Sequence, residues 1–153
     1  MGRQEQRPKG ERIPSFMYLI KQVELAARSH LDEIVSQHGV SAHQYTALAV
    51  LARNPGMTGA RLARNAFVRV QSMASTIAAL EARGLITREV DPESRRQLRI
   101  TLTPASWELV RTVQVPLDAF EQELLEEFTD REVQVLGDTL HRLRVRLGGS
   151  HPR

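Results

Sequence analysis

A chain of 153 residues can bury its own core, and without a single cysteine it carries no disulfides, thiol nucleophiles, Fe–S clusters or cysteine-based zinc sites. Hydrophobic residues make up 41% and charged residues 25%, as in ordinary globular proteins, and no apolar run approaches the roughly 20 residues of a membrane span. The net charge of +3 hides an uneven distribution: residues 1–52 hold six basic and five acidic side chains, residues 53–99 nine and four, and residues 100–153 six and nine.

Residues 1–12 are polar and charged with no apolar stretch behind them, so they read as a disordered tail rather than a secretory signal. Gly2 does not open a myristoylation motif, because Gln6 stands where that motif has Ser or Thr. The expected location is the cytoplasm, with no membrane partner. From Ile34 through Leu80 there is no Asp or Glu, yet Arg53, Arg61, Arg64 and Arg69 fall inside that window. A coding bias can replace Lys by Arg, but it does not remove acids from one stretch. A surface that approaches phosphates excludes carboxylates and uses Arg as a planar anion clamp, so the window implies contact with nucleic acid.

Taken in chain order, residues 15–38 carry apolar positions at Leu19, Ile20, Val23, Ala27, Leu31, Ile34 and Val35, the stripe of an amphipathic helix that Gly39 stops. Ser41 and Gln44 predict a capping box opening a second helix over about 42–53, with Val40 stapled to Tyr45. Asn54-Pro55-Gly56 is a turn, Thr58 caps a short third helix ending near Asn65, and a fourth spans roughly 70–83 with Gly84 as its left-handed cap. The period then changes to two. Leu85 to Val90 and Arg95 to Leu102 predict a two-stranded hairpin turning over Asp91-Pro92-Glu93-Ser94. Thr103-Pro104 starts a long helix with a kink expected at Pro116. Thr129 and Glu132 form a second capping box for a last helix with the stripe Val133, Leu136, Leu140, Leu143 and Leu147, which Gly148-Gly149 ends.

A short helix and a second helix joined tightly, followed by a basic hairpin, is the winged helix-turn-helix arrangement, with the helix over 70–83 as the recognition helix. At 100° per residue Met73, Ile77 and Leu80 face inward while Gln71, Ser75, Ala78 and Ala82 face out. These outer residues are small and uncharged, so the backbone can enter a major groove about 12 Å wide, with Gln71, Ser72, Ser75 and Thr76 offering donors and acceptors to base edges. Arg61 and Arg69 stand at the approach to this helix, and Arg95 and Arg96 at the hairpin tip suit a minor groove or its phosphates. An ordinary exposed helix carries Glu and Lys for solubility, and this one has neither between 70 and 80.

The run Val40 to Leu48, the run Pro55 to Arg64, Val68-Arg69-Val70-Gln71-Ser72-Met73, Leu80-Glu81-Ala82-Arg83-Gly84-Leu85-Ile86, Asp91-Pro92, Arg96 and Leu102-Thr103 follow one another in a familiar order. In that order the chain resembles the MarR family of bacterial winged-helix transcriptional regulators, from about Pro14 to Leu147. The resemblance implies a mainly α fold with a small β-hairpin wing. Residues 13–147 would form one domain, in which 41–102 are the winged helix-turn-helix lobe and 13–38 with 104–147 are dimerisation helices, leaving 148–153 as a flexible tail.

It further implies a homodimer that binds a palindromic DNA operator, usually as a repressor, with Arg96 as the wing arginine and Gln71, Ser72 and Ser75 facing bases. Family members often release DNA when a small aromatic ligand binds between the lobes, and Tyr18, His30, His43, Tyr45 and Trp107 are the residues here that could line such a space. The chain departs from the family pattern at Ser94 and Arg95 in the wing, at Ser106 where Gly is usual, and at Val70 where Pro is common. The alternative is a winged-helix adaptor that binds another protein, which would have no need of the acid-free window. No enzyme is expected, since clustered carboxylates, a nucleophile elbow and a phosphate-cradling glycine loop are all missing. No cofactor is expected, and five His without an i,i+4 pair argue against a metal site.

Overall fold

The computed structural model describes residues 15–148, so the tail expected over 1–12 and most of the one expected over 148–153 lie outside the described residues. The elements run α1 (Phe16–Ser36), α2 (Ala42–Arg53), β1 (Met57–Thr58), α3 (Gly59–Asn65), α4 (Val70–Ala82), β2 (Ile86–Asp91), β3 (Ser94–Leu102), α5 (Pro104–Leu125) and α6 (Asp130–Arg146). The chain is mainly α with a small antiparallel sheet.

Side-chain caps fix most helix starts. Ser15, Ser41, Thr58, Thr103 and Thr129 each accept the backbone N–H three residues on, and both predicted capping boxes are present. Ser106, in the place of the usual glycine, donates through its hydroxyl to the Thr103 carbonyl at 2.9 Å while its N–H bonds the Thr103 hydroxyl, so the start of α5 is intact. Gly84 has φ +69 and closes α4 with paired bonds, Gly84 N–H to Glu81 and Leu85 N–H to Leu80.

The sheet differs from the expected two-stranded hairpin. Its order is β1-β3-β2, because Met57 and Thr58 pair with Ile100 and Arg99 before α3 begins. The hairpin itself runs in register from Ile86↔Leu102 to Val90↔Leu98, with an irregularity between Val90 and Asp91.

The core joins the end of α1 to α2, α3, α4, the sheet and the first half of α5. Val35, Leu48, Leu51, Leu62, Met73, Leu80, Ile86, Ile100 and Val113 are all fully buried there. By contrast α6 buries no residue, and beyond Val113 neither does α5. No helix among the described residues is long and apolar enough to cross a membrane.

Candidate nucleic-acid interface

The helix pair α3 and α4 is set by close packing and by a strained turn. A Cβ built on Gly59 would lie 3.2 Å from the Ile77 Cδ1, so the first residue of α3 sits nearly on α4. The connection turns at Phe67, which has φ +53, a left-handed conformation rare for a bulky side chain. Its N–H bonds the Arg64 carbonyl at 3.2 Å and the Val68 N–H bonds Ala63 at 2.9 Å, the same double closure that Gly84 makes for α4.

On α4 the inner face is Met73, Ile77 and Leu80, all buried, and the outer face carries Gln71, Ser72, Ser75, Ala78, Ala79 and Ala82, all exposed. The Ser75 and Thr76 hydroxyls donate back to the Gln71 and Ser72 carbonyls at 3.3 and 3.1 Å, leaving their oxygens able to accept. Among the described helices only α4 starts without a side-chain cap, at Arg69. Its first-turn amides thus gain no side-chain acceptor and point, next to an exposed Arg, where a phosphate oxygen could approach.

The hairpin holds four arginines, and they divide into two kinds. Arg88 on β2 is paired with Glu81 on α4, which joins the hairpin to that helix and neutralises the acid that ends the acid-free window. That contact holds the Glu81 carboxyl below the usual range and raises Arg88. Arg99 on β3 reaches Asp91 at 2.9 Å, and Asp91, only 8% exposed, also accepts the Glu93 N–H at 2.9 Å. Backbone donation from Glu93, then the Arg99 guanidinium, depresses the Asp91 carboxyl, and this knot fixes the turn at Pro92-Glu93. Arg95 and Arg96 are exposed and make no ion pair with any described residue. The sequence pointed to Arg95 and Arg96 at the hairpin tip but not to Asp91, Arg88 and Arg99 as the framework beneath them; the Asp-Pro-Glu-Ser turn was the available signal.

Arg61 and Arg64 are exposed on α3, whose N-cap Thr58 accepts the Arg61 N–H through its hydroxyl. Between α1, α2, α5 and the α3–α4 turn opens a groove of about 660 Å³, large enough for a small organic ligand. Of the residues named from sequence, His43 and Tyr45 line it. Tyr18 lies on the exposed start of α1, where its hydroxyl accepts from Gln22, Trp107 is half-exposed on α5, and His30 stacks on the groove residue Phe120 at 4.8 Å; none of these three is part of the lining. Arg53 adds a cation to the groove, and burial, partly offset by Arg53, raises the Tyr45 phenol. Among the described residues no group of three or more His, Asp or Glu is placed to hold a metal.

A tightly packed helix pair, an uncharged outer face on the second helix and a braced wing with outward arginines define a winged helix-turn-helix of the DNA-binding class. Residues 38–97 match the model of the MarR family. The chain is 29% identical over 112 residues to the HTH-type transcriptional repressor Rv2887 of Mycobacterium tuberculosis, covering 73% of this chain and 81% of that one. It is 26% identical over 136 residues to the homoprotocatechuate degradative operon repressor of Escherichia coli, covering 89% and 91%. A MarR-family regulator from Silicibacter pomeroyi superposes with a TM-score of 0.76 at 25% identity, covering 85% of this chain and 88% of that one. The structure of Rv2887 in complex with salicylic acid superposes with a TM-score of 0.69 at 26% identity, covering 86% and 97%. Residues 38–97 are thus of MarR-family type, and the fold and the relatives support a DNA-binding transcriptional regulator rather than an enzyme.

Proposed function

We propose that this regulator is a cytoplasmic homodimeric repressor that reads a palindromic operator, inserting α4 of each protomer into successive major grooves about 34 Å apart. The observation that carries the reading is the outer face of α4, exposed and without a single charge from Val70 to Leu80. In this reading Gln71, Ser72, Ser75 and Thr76 meet base edges, Arg61 and Arg69 meet phosphates beside α4, and Arg95 and Arg96 reach the flanking minor groove. Residues 41–102 then act as the DNA-binding lobe, while 13–38 and 104–147 supply the dimer contact. Support for the dimer comes from apolar side chains left in water: Phe16 is 82% exposed, Val23 66% and Leu140 49%.

The groove beside His43, Tyr45 and Arg53 is the favoured place for a small aromatic effector that releases DNA, and Rv2887, whose structure holds salicylic acid, makes an aromatic acid the first compound to try. The direct test is a mobility shift on the DNA upstream of the chain's own gene at several salt concentrations. A slope of log affinity against log salt of about −3 or steeper is expected from several neutralised phosphates, and a shallower one would favour a protein partner.

A further inference from the structure

α5 belongs to both halves of the molecule. Its start is tied to the DNA-binding lobe, where the Thr103 hydroxyl donates to the Gly84 carbonyl at 2.9 Å, and its first ten residues end at the fully buried Val113. Three residues later Pro116 supplies no N–H to the Thr112 carbonyl, so the helix loses one rung where its buried part ends. Two side-chain bonds bracket that rung. Gln114 Nε2 donates to the Asp118 Oδ1 at 2.7 Å, bridging over Pro116, and the Tyr45 hydroxyl of α2 donates to the Gln114 Oε1 at 3.2 Å. Among the described residues this is the one side-chain hydrogen bond that the structure places between α2 and α5. Tyr45 is itself 5% exposed, so its hydroxyl is held in place by the core around its ring.

We infer that Tyr45 and Gln114 are positioning residues: their bond sets the direction in which α5 leaves the DNA-binding lobe, and thereby the separation of the two recognition helices in the dimer. The inference rests on the dimeric reading given above. Neither side chain touches DNA in this scheme, and both line the groove, so an occupant that competes for the Tyr45 hydroxyl changes the same angle.

The test compares the natural operator with one lengthened by a base pair between its half-sites, a change of about 3.4 Å and a tenth of a turn. Wild type is expected to bind the lengthened site at least about tenfold more weakly, a difference of roughly 1.4 kcal/mol. Tyr45→Phe keeps the ring and removes the bond; Gln114→Leu removes it together with the Asp118 bridge, from an exposed position that does not threaten folding. Each should cut the discrimination to within about threefold, the double variant should match Gln114→Leu because the Tyr45 bond is already lost there, and the salt slope should stay as in wild type. Single variants that keep full discrimination, or a double variant showing the product of two independent effects, overturn the positioning role alone. A wild-type chain indifferent to spacing overturns the dimeric palindrome reading and this inference with it. Should Tyr45→Phe lower the melting temperature enough to confuse binding, Gln114→Leu decides.

Discussion

α4 and α6 are both amphipathic helices, and they solve the problem of their apolar stripe in opposite ways. α4 buries Met73, Ile77 and Leu80 within its own chain and turns a small, polar, uncharged face outward. α6 buries nothing, and Leu136, Leu140 and Leu143 remain between 38% and 49% exposed although its stripe is as regular. Its polar face is also heavily charged, with acids in the first turn and arginines in the last, as suits a solvated helix and its dipole. A stripe completed within the chain frees the other face for a ligand, whereas one left open is available to a partner. On the dimeric reading proposed above, the two helices therefore differ in what they await: α4 a polyanion, α6 a second copy of the chain.

The largest effect expected from breaking this contrast is at α6. Leu140→Glu puts a charge into the proposed dimer contact, and light scattering should report a monomer. Affinity for a two-half-site operator should fall by about 10²–10⁴ as the second binding event ceases to be intramolecular. A variant that stays dimeric would move the interface elsewhere. Next is the outer face of α4, where Ala78→Glu is expected to leave the melting temperature nearly unchanged, within about 0.5 kcal/mol as for other surface changes. It should nevertheless weaken DNA binding by several kcal/mol, since it sets a carboxylate against phosphates.

The parts of this contrast legible in the sequence were those written locally. The capping residues Ser41, Thr58, Thr103 and Thr129, the glycine at 84 and the inward spacing of 73, 77 and 80 depend on neighbours within one or two turns, and the helices follow them closely. β1 was not legible, because two residues carry no periodicity and their partners, Ile100 and Arg99, lie more than forty positions away. Phe67 gave no sign of its left-handed backbone; packing of α3 on α4 imposes it against the preference of the residue. The division of the hairpin arginines was hidden for a similar reason, since only the folded sheet brings Arg99 to Asp91 and Arg88 to Glu81. Aromatic content could nominate groove residues but not sort them: Tyr45 and Trp107 look alike in a sequence, and only the α2–α5 contact brings Tyr45 to the groove wall.

Smaller effects sharpen the assignment within the DNA-binding lobe. Gln71→Ala should relax preference at one base position by about 1–3 kcal/mol in competition binding, with little change on unrelated DNA. Arg96→Ala should weaken all sequences alike and lower the salt slope by about 1. If both behaved as wild type, α4 and the wing would not be where DNA docks. Arg99→Ala offers a control, because its guanidinium is engaged with Asp91: it should loosen the wing and lower stability.

The smallest expected effect concerns the wing's own foundation. The Asp91 carboxyl is depressed in the folded chain by the Glu93 N–H and by Arg99, whereas in an unfolded chain it titrates near its ordinary value of about 3.9. The stabilisation it contributes is therefore fully present above that value and disappears as pH falls through the lower, folded one. Asp91→Asn keeps the shape and loses the charge, so it should melt below wild type at pH 7, and the gap should close as the solution is acidified below about pH 4. Glu24, Glu81 and Glu132 are depressed as well and contribute in the same direction, so the acid limb of wild type alone cannot be assigned to one group. The difference between the two melting curves can, because those three carboxylates are common to both proteins. A gap that stayed constant from pH 7 to pH 2 would mean that Asp91 holds the turn through shape and neutral hydrogen bonds, and that Arg99 is as available to phosphate as Arg95 and Arg96.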